Sequence, residues 1–153
     1  MIDFGAVELS QQLLVVINAA IAAVLGSAIG WERDRAGKSV GPRTMALVGA
    51  SAAAIVNIGQ ILDVNAKFGD PTRAMHAIIT GIGFLGAGLI FQTRDSGTKG
   101  VTTAATVFAT AAMGCAVGLG FQIASVGLTL IILIVLRSTH MLEITANRRH
   151  DDE

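Results

Sequence analysis

Three short runs hold most of the residues that could do chemistry. The first is Trp31-Glu32-Arg33-Asp34-Arg35, the second is Arg43-Thr44, and the third is Asp70-Pro71-Thr72-Arg73 with His76 one turn on. Carboxylates such as Glu32 and Asp70 are hard oxygen ligands of the kind magnesium takes while keeping much of its water. Either residue is therefore a candidate metal ligand, and Asp70 is also a candidate proton or ion acceptor. Each has a simpler reading. Asp70 followed by Pro71 is a helix-start signature, the aspartate capping and the proline at the first helical position, where its missing N–H costs nothing. Glu32 and Arg33 could form a solvated pair at a helix end. Arg43 opposes the dipole at a helix start, so a partner such as Glu32, a lipid phosphate or another protein would explain it better than local stability does.

Other chemistries find no support. The sequence shows no nucleophile–base pair, no Cys/His metal-ligand cluster and no phosphate-binding loop, so enzymatic activity is not expected. Gly81-x-Gly83-x-x-Gly86 has the spacing of a dinucleotide-binding fingerprint. That motif needs a strand before it and an acid about 20 residues later. Here the glycines fall inside an apolar run, and Val101 stands where the acid would be. A net charge of zero gives no case for nucleic-acid binding.

The elements that position these runs follow from charge spacing. The chain is 52% hydrophobic and 14% charged, with a mean hydropathy of +0.65. Uncharged stretches of 23 residues (after Glu8), 19 (after Arg43), 20 (after Arg73) and 37 (after Lys99) divide it. A helix crossing the hydrocarbon core needs about 20 residues, so the first three stretches are one span each. A single helix over the last would run about 56 Å, and Gly118-Leu119-Gly120 offers a turn within it. The expectation is an all-α bundle of five transmembrane helices over Leu9–Gly30, Met45–Leu62, Ala74–Gln92, Val101–Gly118 and Phe121–Leu136. Residues 1–137 form the membrane domain and 138–153 a short polar tail, read as a frayed helix end with disorder beyond. Nine basic residues (Arg33, Arg35, Lys38, Arg43, Arg94, Lys99, Arg137, Arg148 and Arg149) fall on one side, and only Lys67 and Arg73 on the other. The positive-inside rule then places the N-terminus outside and the C-terminus in the cytoplasm. The N-terminal segment carries Asp3 and Glu8 where a signal peptide would have a basic start.

Small residues recur every four positions: Asn18, Ala22, Gly26, Gly30; Gly49, Ala53, Asn57; and Thr102, Thr106, Thr110, Gly114, Gly118. Such rows let helices approach closely in lipid, and Asn18 and Asn57 should hydrogen-bond to neighbouring helices. Gly81, Gly83, Gly86 and Gly88 together cost a water-exposed helix several kcal/mol of propensity, roughly 1 kcal/mol each. Helix packing is the expected compensation.

In order along the chain, the motifs resemble those of the MgtC/SapB family of bacterial inner-membrane proteins. They are Gly26…Gly30-x-Glu32-Arg33, Gly41-x-Arg43-Thr44-x-x-Leu47-Val48, Asp70-Pro71-x-Arg73, Gly81-x-Gly83-Phe84-Leu85-Gly86-Ala87-Gly88-x-Ile90, Gly100-x-Thr102-Thr103-Ala104-Ala105 and Gly114-x-x-x-Gly118-x-Gly120. Pro42 and Phe108 depart from the pattern, which has Leu at the first position and often Trp at the second. Some family members continue into a cytoplasmic regulatory domain, whereas only a short polar tail follows Leu136 here. The resemblance implies a multi-pass bacterial inner-membrane protein linked to magnesium homeostasis, with inhibition of F-type ATP synthase known for some members. Two functions fit. One is a membrane-embedded regulator or interaction protein whose polar cytoplasmic surface is Glu32, Arg33, Arg43 and Arg94. The other is a magnesium transporter or channel with Asp70 outside and Glu32 inside, which would need a homo-oligomer, with a dimer favoured. Contacts through Gly26, Gly30 and the glycine face of the third span would build it.

Overall fold

The computed structural model describes the backbone of residues 7–66, 70–93 and 97–150, and the side chains of residues 7–63, 70–92 and 97–138. Five helices follow in order: α1 (Leu9–Arg35), α2 (Pro42–Ala66), α3 (Pro71–Leu89), α4 (Val101–Gly118) and α5 (Gln122–His150). Between α3 and α4 lies a small antiparallel hairpin, β1 (Phe91–Thr93) and β2 (Gly97–Lys99), with Phe91 opposite Lys99 and Thr93 opposite Gly97. Lys67, Arg94, Asp95, Asp3 and the terminal acids Asp151, Asp152 and Glu153 lie outside the described residues, as do the side chains of Arg148 and Arg149.

The interior inverts the usual pattern of a water-soluble domain. Its buried positions are largely small or weakly polar: Ala22, Ala52, Ala53, Ala104, Ala111, Thr106, Thr110, Ser125 and Asn57. The exterior carries Leu13, Ile17, Val24, Leu47, Phe84, Ile123, Leu130 and Ile134, with Phe84 80% and Ile123 92% exposed. In lipid, close backbone approach and hydrogen bonds hold helices together, while large aliphatic side chains face the acyl chains. Among the described residues three helices are long and apolar enough to cross a membrane, α1, α2 over Pro42–Asp63, and α4, and α5 has a shorter apolar stretch, Gln122–Ser138. In α3 the polar Thr72, Arg73 and His76 occupy the first turns, so its apolar stretch begins only after His76.

Helix α4 is the hub, with 56% of its apolar stretch buried, against 28% in α1 and 33% in α2. Its row Thr106, Thr110, Gly114, Gly118 faces α2. A methyl group added at Gly114 would strike the Gly49 carbonyl, and one at Gly118 would lie 2.6 Å from the Ala53 carbonyl oxygen. The α1 row meets α2 the same way: Gly26 abuts the Met45 carbonyl, and Gly30 is against Pro42. Both asparagines bridge helices as their rows require. Asn57 Nδ2 donates to the Gly118 carbonyl at 2.9 Å, and Gln122 Nε2 donates to Asn18 Oδ1 at 3.0 Å. Thr106, Thr110, Ser125 and Thr129 return their hydroxyl protons to carbonyls one turn back, as in Thr106 to Thr102 and Thr110 to Thr106.

The turns are closed locally. After α1, Gly37 N–H donates to the Asp34 carbonyl and Lys38 N–H to the Arg33 carbonyl; after α4, Gly120 donates to Val117 and Phe121 to Ala116. Both are Schellman motifs, which need a left-handed residue, and Gly37 (φ 67°) and Gly120 (φ 86°) supply it. The Gly118-Leu119-Gly120 break therefore falls where the sequence places it.

Helix α2 runs beyond the expected Met45–Leu62 to Pro42–Ala66, α3 begins at Pro71 and not Ala74, and three further ends differ from expectation. Helix α3 stops at Leu89, not Gln92, because Phe91-Gln92-Thr93 is drawn into the hairpin that returns through Gly97 and Gly100. Helix α1 continues past Gly30 to Arg35, so the run Trp31 to Arg35 is helical and each side chain faces its own direction. Helix α5 continues past Leu136 to His150: no glycine or proline interrupts residues 138–150.

Candidate functional site

The charged residues gather at the two ends of the bundle. Gly30 of α1 meets Pro42 at one end, and Gly59 of α2 meets Pro71 and Ala74 of α3 near the other. Seventeen residues of α2 separate those contacts, about 26 Å at 1.5 Å per residue. The candidate metal ligands Glu32 and Asp70 thus lie at opposite ends, about a hydrocarbon thickness apart. Among the described residues, no group of three His, Cys, Asp or Glu side chains comes together to hold a metal ion.

At the first end, Arg33 sits three residues past Gly30 and extends the buried α1 row, so its side chain is only 3% exposed. Its Nε lies 3.7 Å from Glu32 Oε2, and neither atom has a hydrogen-bond partner. Arg33 is therefore the ionic partner that Glu32 finds among the described residues. Of the three partners considered for Arg43, Glu32 is paired with Arg33 and not with it; Arg43 and Thr44 are exposed on the first turn of α2. Arg35 points another way, its guanidinium 5.2 Å from the centre of the Trp31 ring.

At the second end, Asp70 caps α3 from an extended backbone (φ −144°, ψ 103°), with Pro71 entering the helix behind it. Its Oδ1 accepts from the Thr72 N–H at 2.9 Å, the Arg73 N–H at 3.4 Å, and the Thr72 hydroxyl. The hydroxyl bond, above all, holds its carboxyl below the ordinary aspartate value, helped by the two N–H groups and the Arg73 charge. Asp70 does the capping work its sequence context announces. Arg73 and His76 are exposed beside it, the His76 carbonyl accepting from the Thr80 hydroxyl.

The glycines divide into two classes. Gly26 and Gly30 are backbone-contact positions within the chain. In α3, only Gly86 has a neighbour, Ala104 Cβ at 3.7 Å from an added methyl, whereas Gly81, Gly83 and Gly88 face open space. Within this chain α3 docks through Ile78 and Ile82, its two buried residues, and of the four glycines expected to pack helices Gly86 makes the contact to α4. Apolar grooves flank it, one of 240 Å³ between Ile78, Ile82, Phe108 and Cys115, another of 400 Å³ between Leu47, Ser51, Ile55 and Gly81.

Sequence reasoning missed a further groove, 460 Å³, between the charged end of α1 and Leu133 and Arg137 of α5. The four-residue period carried from Ala28 to Glu32, and from Leu133 to Arg137, was the available signal. That α5 returns beside α1 was not readable from either helix alone.

A family model described as the MgtC family matches residues 19–144. An uncharacterised protein of Haemophilus influenzae is 34% identical over 145 residues, 91% of this chain and 61% of its own length. The Escherichia coli K12 protein named "Putative magnesium transporter YhiD" is 34% identical over 132 residues, 83% of this chain and 61% of its own. Protein MgtC of Brucella abortus is 35% identical over 130 residues, 82% of this chain and 53% of its own. The chain thus spans 53–61% of the length of these relatives. No solved structure matches it. With that profile match and relatives at this identity over most of its length, the chain belongs to the MgtC family.

Proposed function

We propose that this chain is a multi-pass protein of the bacterial inner membrane, linked to magnesium homeostasis, that acts as a membrane-embedded regulator or interaction protein and not as an enzyme. All five helices span the bilayer in this reading, with the N-terminus outside and the C-terminus in the cytoplasm. The observation that carries the regulatory reading is the use made of the buried polar groups. Asn18, Asn57, Thr106, Thr110, Ser125 and Thr129 are engaged with neighbouring helices or their own backbone, and the carboxylates lie at the two ends. Ion carriers usually keep an ionisable group at mid-membrane. The polar end from Trp31 to Arg43 is then a surface for a membrane partner, for which the family suggests F-type ATP synthase, and a homodimer would form across the open side of α3 that carries Gly83.

A second reading, a magnesium transporter working as a homo-oligomer, is favoured by the name carried by the E. coli relative. Purified protein in liposomes containing a magnesium-sensitive dye separates the two. The regulatory reading expects no flux under any gradient. Flux that Asp70→Asn and Glu32→Gln abolish would overturn it.

A further inference from the structure

We propose that the groove between α1 and α5 beside Trp31 binds an anionic phospholipid, of the phosphatidylglycerol or cardiolipin class, with its phosphate between Arg35 and Arg137. This rests on the reading that the helices span a bilayer.

The groove runs along the helix axes from apolar to charged, as a lipid does. Ala28 and Leu133 form its inner wall; Glu32 and Arg137, each one turn further along its own helix, line its outer part with Trp31 and Arg35. Its volume of 460 Å³ lies within the usual range for small-molecule sites. Charge selects the occupant. Glu32 is matched by the buried Arg33 at 3.7 Å, and Asp34 leans towards Gly41 in the α1–α2 turn, on another face. Among the described residues no acid pairs with Arg35 or Arg137, and both line the groove. Both are arginines, whose forked donors suit a phosphate. Arg35 is already steadied over the Trp31 ring, so less freedom is lost when it binds. A tryptophan at the charged end of an apolar helix also fits the interfacial level of a bilayer, where phosphates lie. Basic pockets between helices at this depth are suited to anionic head groups. A free phosphate ion would make no use of the apolar wall.

Trp31 is the one tryptophan in the sequence, which has no tyrosine, so the chain's emission reports this groove alone. The full chain is reconstituted in phosphatidylcholine vesicles carrying either brominated phosphatidylglycerol or brominated phosphatidylcholine, and quenching by the two is compared. Wild type should favour the brominated anionic lipid by at least about fivefold, and Arg35→Gln or Arg137→Gln should each reduce that ratio about fivefold or to unity. Retained quenching by brominated phosphatidylcholine shows that each variant is still inserted. Equal quenching by the two lipids in wild type, or a preference that survives the double substitution, overturns the site. A preference erased by inorganic phosphate at matched phosphorus concentration assigns the arginines to a free anion and also overturns it. Trp31 quenched by neither lipid would instead overturn the membrane reading itself.

Discussion

The sharpest prediction compares two glycines that one methyl group should affect in opposite senses. Gly114 lies mid-way along the α4 face that meets α2. An added Cβ there would collide with the Gly49 carbonyl and stand 3.0 Å from both Gly49 Cα and Ala52 Cβ. Two of these neighbours are backbone, so relief requires α2 and α4 to separate. Gly127 is also helical, in α5, and its Cβ would meet nothing within 4 Å. Both Gly→Ala changes gain about 1 kcal/mol of helix propensity. Only Gly114→Ala also incurs overpacking, worth about 1–3 kcal/mol. The two variants should therefore differ by about 1–3 kcal/mol, with Gly127→Ala at or above wild type. For a chain of this size that is a gap of about 2–12 °C in Tm. Thermal unfolding of the full chain in detergent, followed by far-ultraviolet circular dichroism, measures it. Equal Tm values, or a larger loss for Gly127→Ala, would refute the claim that glycine contacts set the α2–α4 distance.

Four other outcomes are expected. Asn57→Ala removes the donor to the Gly118 carbonyl but also the buried, unpartnered Oδ1, so the loss of stability should stay near 1 kcal/mol; a loss above about 3 kcal/mol in the same unfolding assay would contradict this. Arg33→Ala strips Glu32 of its counter-charge and should cost about 3 kcal/mol, the lower end for a broken buried pair, whereas Arg43→Ala at an exposed site should stay within about 0.5 kcal/mol; similar losses would show that Arg33 is not the partner that matters. Because Asp70 has a lowered pKa, its cap is fully formed above the ordinary carboxylate range and weakens as pH falls through the lowered value. The Thr72 and Arg73 amide resonances should therefore shift only below about pH 4, and movement above that range would rule the capping account out. A Cβ added at Gly83 meets nothing within 4 Å among the described residues, so Gly83→Leu should leave the monomer folded and shift the detergent-solubilised protein to a smaller size on chromatography; an unchanged profile would refute a dimer across α3.

What the sequence made legible is what depends on one helix at a time. Uncharged runs gave the five helices because a charge inside lipid is costly, and the four-residue rows identified the α1, α2 and α4 faces because helical geometry alone puts those residues in line. The Asp70-Pro71 start was readable for the same local reason. The α3–α4 hairpin was not, since Phe91-Gln92-Thr93 is apolar enough to extend a helix and is extended only by pairing with β2. Nor was the fate of the α3 glycines, which depends on how many neighbours a peripheral helix finds. Arg33 and Arg35 look interchangeable as sequence; two residues apart on a helix, they point some 200° apart, one into the bundle and one onto Trp31.

That division at Arg33 and Arg35 bears on which end of the molecule acts. A buried ion pair is weak evidence for stability, because desolvation offsets much of its attraction. An apolar residue at position 33 would continue the row from Ile29 and Gly30 at lower cost, so the Glu32–Arg33 pair calls for another reason. The groove at the same helix end supplies one: Arg33 neutralises Glu32 from behind, which leaves Arg35 and Arg137 free to present positive charge at the membrane surface. At the far end, Asp70 is occupied by its own helix's N–H groups and the Thr72 hydroxyl, the arrangement of a cap more than of a waiting ligand. The asymmetry favours the Trp31–Arg35 end, with Arg137, as the working surface of the bundle.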